Sequence, residues 1–400
     1  MVGESPIIPA LCTPRVESIP ARRIALLGAT GSIGRSTLDV VRASPERFRV
    51  VALAAGSNEA ALCALVDEFC PRWASLDVPW SEGQRRRDGT EYSSGSERLC
   101  AIAGHADVDT VVAAVVGMAG LAPVIAALRA GKTVALANKE SLVMAGELVR
   151  GLCRTGGGSL IPVDSEHSAL FQALQGSLYG EIESLILTAS GGPFLNTPLG
   201  DLSSITPAQA LKHPRWKMGA KISVDSATMV NKALEVIEAA WLFGVAPERI
   251  QVVVHPQSIV HSLVEFVDGA ALAQLSHPDM KGPIAYALGY PGARIPGTMK
   301  RLSLSQVGRL DFIELDEVKF PAVKLAKATI RAGGAMSAVF SVANEVAVGA
   351  FLAGRLSFLG IVPMIEQALS RFSGATYSDP ESLAALVAHV SRWAEEHSRG

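Results

Sequence analysis

The sequence predicts an α/β fold in which a mostly parallel sheet is followed by an irregular α+β region and a helical C-terminus. Three observations carry this reading. Short apolar runs alternate with amphipathic stretches of helical period from residue 22 to about 155. After residue 160 long Gly- and Pro-rich loops separate the apolar runs, and residues 323–400 return to helical periodicity. Repeated β-α units of this size call for parallel pairing with helices on both faces.

The elements follow in order. Residues 1–21 read as a disordered extension, because Pro6 and Pro9 interrupt the apolar patch and Glu4 precedes it, unlike a secretory signal. Ile24–Leu27 is a strand that ends in a glycine-rich turn, and Ser36–Arg42 continues as a helix. Phe48–Ala54 and Glu59–Phe69 form the next strand and helix. Residues 77–97 interrupt the pattern with a polar surface loop carrying Arg85, Arg86 and Arg87. Val111 to Leu128 has no charge over eighteen residues, long enough to span a membrane. However, Gly117, Gly120 and Pro123 divide it into strand, turn and helix. Thr133–Ala137 and Glu140–Arg154 repeat the unit. Beyond them Leu160–Val163, Ser184–Thr188 and Gln251–Val254 read as strands, residues 291–322 as a linker, and a helix begins near Ser226. Asp379 and Pro380 supply an N-cap and first position for a last helix, whose apolar stripe is Leu383, Leu386, Val387 and Val390. The division is therefore 22–159, 160–290, the linker 291–322, and 323–400.

Composition excludes several classes. The chain of 400 residues has a net charge of −2, which favours neither nucleic acid nor an anionic membrane as partner. Its five cysteines (Cys12, Cys63, Cys70, Cys100 and Cys153) are odd in number and contain no C-x-x-C pair. That argues against a disulfide framework or a zinc site and fits a reducing, cytoplasmic setting.

Gly28, Gly31 and Gly34 lie between a strand and a helix. Glycines there permit a tight turn and close backbone approach to phosphate, and the helix N-terminus adds N–H groups and a favourable dipole. The spacing G-x-x-G-x-x-G in this context predicts a dinucleotide site. The second strand ends Ala54-Ala55-Gly56-Ser57-Asn58 without the acid that would hold a ribose 2′-hydroxyl. This favours NADPH, although Glu59 comes next. Gly131-Lys132-Thr133 is no P-loop, because position 126 is Ala.

Asp164 and Glu166 follow a strand, where carboxylates two apart point to one side. With Glu235 they would suit a hard ion such as Mg²⁺ or Mn²⁺; a capping Asp and ordinary surface acids are the alternative. Asn138, Lys139 and Glu140 lie at the carboxyl end of a strand, where α/β ligands bind. Ser190, His213, Ser226, Asn231 and Lys232 bring the polar groups that a phosphate and a polyol require. Lys232 and Glu235, three apart on a helix, are equally compatible with a surface ion pair. His255 and His261 flank an apolar strand and read as structural.

The motifs GATGSIG (28–34), ANKESLV (137–143), PVDSEH (162–167), SGGPF (190–194), HPRWKMG (213–219), KISVDSATMVNKALE (221–235), HPQSIVHS (255–262) and HPDM (277–280) occur in this order. From about residue 22 to 400 the chain resembles the 1-deoxy-D-xylulose 5-phosphate reductoisomerase family. The resemblance implies an N-terminal Rossmann-like NADPH domain, a central α+β catalytic domain with a mobile loop, a C-terminal helical bundle, and a homodimer. It places Thr30, Gly31, Ser32 and Ile33 on the cofactor pyrophosphate and Gly56, Ser57 and Asn58 near its adenosine. Asn138, Glu140 and Gly219 complete that site. Asp164, Glu166 and Glu235 match metal ligands, and Lys139, Ser165, Glu166 and Glu235 meet the reacting end of the substrate. Ser190, His213, Ser226, Asn231 and Lys232 hold its phosphate and chain, and Trp216 and Met218 lie on the closing loop. Lys139 and Glu166 are the implied catalytic residues. A basic residue often stands in the family where this chain has Ser57. The implied reaction is metal-dependent rearrangement of a sugar phosphate followed by NADPH reduction. Another Rossmann-type NADPH-dependent carbonyl reductase and a non-enzymatic NADPH sensor are the competing readings.

Overall fold

The computed structural model describes residues 21–81, 87–213 and 218–398. Apart from Ala21, the extension read at 1–21 lies outside them, as do Trp216, Arg85 and Arg86.

A 7-stranded sheet is built from β1 (Arg22–Leu27), β2 (Phe48–Ala55), β3 (Trp73–Leu76), β4 (Glu91–Ser94), β5 (Thr110–Ala113), β6 (Thr133–Leu136) and β7 (Ser159–Pro162), in the order β4-β3-β2-β1-β5-β6-β7. Every pairing in it is parallel. The helices α1 (Ser32–Ala43), α2 (Glu59–Phe69), α3 (Ser96–Ala103), α4 (Leu121–Arg129) and α5 (Lys139–Thr155) make the connections. Strand β5 is buried throughout and β2 at every position but Arg49, which is why they read as near-continuous Val/Ala/Leu runs rather than alternating ones. Strand order reverses between β1 and β5, opening a crevice at the carboxyl ends of the strands.

Two expectations need correction here. The stretch 77–97 is not only a loop: it holds β4 and the start of α3. β4 is an edge strand of sequence EYSS, and an edge half open to solvent needs no apolar run. In addition, α1 starts at Ser32 rather than Ser36, with Gly31 as N-cap, so the third glycine of the turn lies inside the helix. A Cβ on Gly34 would meet the backbone of Gly28 and Ala29, and its absence lets the helix sit on the turn.

The second sheet contains β8 (Ile182–Ala189), β9 (Ile250–Val254), β10 (Val260–Phe266), β11 (Ala271–Leu275) and β12 (Ile313–Glu314), in the order β11-β10-β8-β9-β12. Strand β12 and the short helix α11 (Leu304–Val307) fall in the stretch read as linker. A two-residue edge strand leaves no periodic signature. Helices α6 (Ser165–Ala173), α7 (Pro207–Ala210), α8 (Ala220–Ala227), α9 (Val230–Phe243) and α10 (Lys281–Gly289) complete this region. The single helix expected near Ser226 is in fact α8 and α9, broken at Met229, whose φ of 61° is left-handed.

Helix α9 is buried nearly all round, as a core helix should be, yet it carries Lys232, Glu235 and Glu238. Gly146 in α5 lets the Trp241 ring of α9 lie directly against that helix. The C-terminal helices are α12 (Ala322–Ala332), α13 (Met336–Leu352), α14 (Ile361–Arg371) and α15 (Pro380–His397). Helix α13 packs on α14 and α15 and also reaches α5 and α8. Asp379 caps α15 as the sequence predicts, accepting from the Ser382 N–H at 2.7 Å.

Candidate active site

The site is assembled where β6 and β7 end. Lys139 opens α5 directly after β6, and Asp164 is the N-cap residue of α6 directly after β7. Glu166 lies in the first turn of α6, so the two acids converge through a helix start and not through the strand alternation expected. Glu235 arrives from α9. Carboxylate oxygens of Asp164, Glu166 and Glu235 lie within 4.8 Å of one another.

Two lysines hold this cluster. Lys139 is ion-paired with Asp164, lies 3.2 Å from Glu235 Oε1, and donates to Asn231 Oδ1 at 3.1 Å. Lys232 donates to Glu166 Oε1 at 2.8 Å and pairs with Glu235. The Lys232–Glu235 pair exists but is not on the surface: the residues are 4% and 1% exposed. Burial costs such ions several kcal/mol each, so they persist only while paired and hydrogen-bonded. Burial works against both ammonium groups, yet their acidic neighbours outweigh it and raise the pKa of each. Burial works against the Asp164 carboxylate too, but Lys139 and the neighbouring cations hold it below its usual range. Burial, together with the adjacent Glu166 carboxylate, pushes Glu235 up to about 7. Three carboxylates against two ammonium groups leave the cluster short of positive charge. A hard divalent cation fits this all-oxygen donor set.

Behind the cluster His167 is fully buried. Its Nε2 donates to the Glu235 carbonyl at 2.9 Å, and its Nδ1 lies 3.3 Å from Glu238 Oε2. Burial pushes the Glu238 carboxyl well above the ordinary carboxylate range. Neither residue was singled out as functional from the sequence, although both lie within the resemblance motifs or next to them.

A cleft of about 450 Å³ runs from Ser32 and Ile33 on α1, past the carboxylates, to Ser190, His213, Met218 and Ser226. Ser190 Oγ and His213 Nε2 are 3.0 Å apart, and burial lowers the His213 pKa. Gly192 has a φ of 65°, and a Cβ there would lie 2.7 Å from the Ser226 carbonyl, so the Ser190–Pro193 turn can close down on α8. Thr188, Ser258, His261 and Asp279 also line the cleft and were absent from the sequence-derived set. His261, read as structural, borders the cleft and meets Ser276 Oγ at 2.9 Å. His255 turns away to the Asp311 carbonyl and the Ile259 N–H.

On the dinucleotide side Gly28, with a φ of 94°, closes the turn after β1, and Gly31 is exposed at the N-terminus of α1. Gly56 and Ser57 are exposed at the tip of β2, and Asn58 caps α2 by accepting from the Ala61 N–H. Glu59 is held away from that tip, accepting from the Ser81 N–H and Oγ at 3.0 and 2.7 Å. Asn138 commits its side chain to the turn after β5. Its Nδ2 donates to the Gly117 carbonyl at 2.8 Å, and its Oδ1 accepts from Ser141. Glu140 meets Lys221 at 3.3 Å, and Gly219 is the N-cap residue of α8.

Sequence profiles described as 1-deoxy-D-xylulose 5-phosphate reductoisomerase match residues 24–146 and, as its C-terminal domain, residues 160–243; a further profile, described as the DXP reductoisomerase C-terminal domain, matches 275–397. The 1-deoxy-D-xylulose 5-phosphate reductoisomerase of Geobacter metallireducens is 50% identical over 384 residues, covering 94% of this chain and 98% of the relative. That of Chlorobium phaeovibrioides is 49% identical over 380 residues, covering 94% and 98%. The Zymomonas mobilis enzyme, solved with NADPH, superposes with a TM-score of 0.88 at 40% identity, covering 95% of this chain and all of the other. A DOX-P reductoisomerase solved with NADPH, fosmidomycin and magnesium gives a TM-score of 0.86 at 40% identity, covering 94% and 97%. The chain therefore belongs to the 1-deoxy-D-xylulose 5-phosphate reductoisomerase family.

Proposed function

We propose that this chain converts 1-deoxy-D-xylulose 5-phosphate to 2-C-methyl-D-erythritol 4-phosphate, rearranging the skeleton and then reducing it with NADPH. One observation carries the reading: a carboxylate cluster, buried at Glu235 and part-buried at Asp164 and Glu166, lies in a single cleft between a dinucleotide turn and a Ser190–His213 pair. The relative solved with NADPH, fosmidomycin and magnesium supports the same ligands here. Asp164, Glu166 and Glu235 would hold Mg²⁺ or Mn²⁺. Bound there, such an ion supplies Lewis-acid polarisation of a ketone and its neighbouring hydroxyl, as the dinucleotide supplies hydride to a carbonyl.

The chain's own groups do the rest. Lys139 stays charged because Asp164 and Glu235 outweigh its burial, so it stabilises developing negative charge and is no resting base. Glu166, within hydrogen-bond reach of Ser165 Oγ, is placed to handle a substrate hydroxyl proton. Ser190, His213, Ser226 and Asn231 grip the phosphate and chain. Thr30, Gly31, Ser32 and Ile33 take the pyrophosphate, and the tip at Gly56, Ser57 and Asn58 takes the adenosine end. Closure of the 190–219 segment, with Trp216 and Met218, would exclude water from the reactive aldehyde. NADPH oxidation by purified protein with this substrate and Mg²⁺ or Mn²⁺, with and without EDTA, tests the assignment. Folded, metal-loaded protein without turnover would overturn it.

Three further assignments belong to this proposal. The functional division runs 22–159, 160–290, the linker 291–322, and 323–400. The protein is a homodimer. In support, the edge strand β11 leaves Leu272 51% exposed, and Val267 beside it is 63% exposed, an unprotected edge that pairing would cover. Light scattering should return twice the chain mass of 41.9 kDa. The setting is cytoplasmic. In support, no disulfide joins the described cysteines. Among the described residues no helix is long and apolar enough to cross a membrane.

A further inference from the structure

Away from the carboxylate cluster, a second polar group, buried at Asp225 and Asn344, joins three parts of the fold. Lys221, in the first turn of α8, has its Nζ 3.3 Å from Glu140 Oε1 on α5 and 2.9 Å from Asp225 Oδ2, one turn further along its own helix. Asp225 is 1% exposed, and its second oxygen accepts from Asn344 Nδ2 of α13 at 2.8 Å; Asn344 is fully buried. The chain Glu140–Lys221–Asp225–Asn344 thus links the start of the cofactor-side helix, the helix between the two sites, and the C-terminal bundle.

The placement of α8 gives this chain its consequence. The helix starts at Gly219 and ends at Ala227, and Ile222 and Ser226 on it line the cleft. Ser226 directly follows Asp225. A shift of α8 along α5 would therefore move the substrate-side wall relative to the dinucleotide-side wall. The Asp225–Asn344 bond anchors α8 from behind, and the Lys221–Glu140 pair sets its register in front. Asp225 is a buried ion, costly unless paired, and Lys221 and Asn344 are the partners that hold it.

We propose that Lys221 is a positioning residue: anchored by Asp225 and Asn344, it fixes Glu140 against α8 and so sets the spacing between the cofactor and substrate walls of the cleft. The inference rests on the NADPH reading above. It requires that a change on α13, at Asn344, be felt in NADPH binding.

The test uses the full-length protein and the variants Lys221→Met, Lys221→Arg and Asn344→Leu. NADPH affinity comes from nicotinamide fluorescence, kcat and KM from steady-state turnover, and fold integrity from melting. Lys221→Met should weaken NADPH binding and lower kcat by about tenfold each, because small misplacements of reacting groups are expensive. Lys221→Arg should recover most of both. Asn344→Leu keeps volume but cannot donate to Asp225. It should move both quantities in the same direction, and the Lys221→Met/Asn344→Leu double variant should be little worse than Lys221→Met alone. Variants that melt lower yet bind NADPH with wild-type affinity and turn over normally would reduce the chain of contacts to a fold brace and overturn the proposal. Additive losses in the double variant would do the same. Should Lys221→Met fail to fold, Asn344→Leu and Lys221→Arg still decide between these outcomes. A wild-type protein that binds no NADPH at all would instead remove the reading on which the inference rests.

Discussion

Replacing Glu235 with glutamine separates the site's chemistry from its stability. The side chain is 1% exposed and accepts from Asn231 Nδ2, Lys139 and Lys232. Glutamine keeps the volume and an acceptor oxygen and removes one charge. Asp164 and Glu166 then balance Lys139 and Lys232. Without metal, the wild-type carboxylate is disfavoured: its pKa is raised from 4.5 to about 7. A raised folded-state value means that the folded protein binds the extra proton between those two pH values. Stability contributed by that proton is present below 4.5 and lost as pH rises through 7. At pH 8 the deficit approaches about 3 kcal/mol, at ~1.4 kcal/mol per unit. In EDTA at pH 8, Glu235→Gln should therefore melt no lower than wild type. Metal binding should respond in the opposite way. A unit charge pair about 4 Å apart is worth ~4 kcal/mol near a protein surface, a divalent ion doubles this, and desolvation returns most of it. If about 2 kcal/mol survives, the metal affinity falls roughly thirtyfold. Metal titrations of NADPH oxidation, run beside EDTA melts, measure both sides. Wild-type turnover with unchanged metal dependence would refute the ligand role of Glu235, and a large loss of stability in EDTA would refute the charge argument.

The other perturbations follow from single contacts. Lys139→Met should cut kcat by about a hundredfold or more in a protein that still binds NADPH, as loss of an oxyanion-stabilising group typically does; rates and a fluorescence titration check this together. Ser190→Ala should raise the KM for the sugar phosphate by about tenfold with little change in kcat, the size expected for one hydrogen bond to a charged group. His213 has its pKa lowered by burial, so on acidification the unfolded ring takes up a proton that the folded ring resists. Stability is thus lost as pH falls from 6.5 through the folded value, and a His213→Gln variant should show a flatter acid limb in denaturant titrations at several pH values. Glu59→Gln should leave the preference for NADPH over NADH unchanged, because Ser81 already holds that carboxylate; a marked shift in the ratio of the two kcat/KM values would show that Glu59 reaches the cofactor.

Much of the architecture was legible because buried parallel strands and amphipathic helices write their period into the sequence. Glu59–Phe69 matches residue for residue, and Asp379 with Pro380 marked the start of α15 through capping chemistry alone. What escaped was structure whose cause lies elsewhere in the chain. Strand β4 reads as polar loop because only β3 pairs with it at an edge, and β12 is two residues long. The break between α8 and α9 depends on a left-handed Met229, and a buried Met at that angle follows from packing, not from local preference.

The candidate site divides along the same line. Asp164, Glu166 and Lys139 follow strands of the parallel sheet, at the ends where an α/β sheet presents ligands, so their positions could be argued from topology. Lys232 and Glu235 could not. Three apart on a helix, they are as compatible with a solvated ion pair as with a metal ligand and its counterion, and only the elements packed around α9 decide. Periodicity shows that two side chains share a face, but not what lies across from it. Here Lys139 lies opposite, from the start of α5, and Asp164 and Glu166 from the start of α6. The same gap hides Asn344: its partner Asp225 is 119 residues away, and nothing between them in sequence marks the contact. Residues whose task is to hold other residues in place leave the weakest local trace, so variants at such positions test the three-dimensional reading more severely than variants at the strand-end acids.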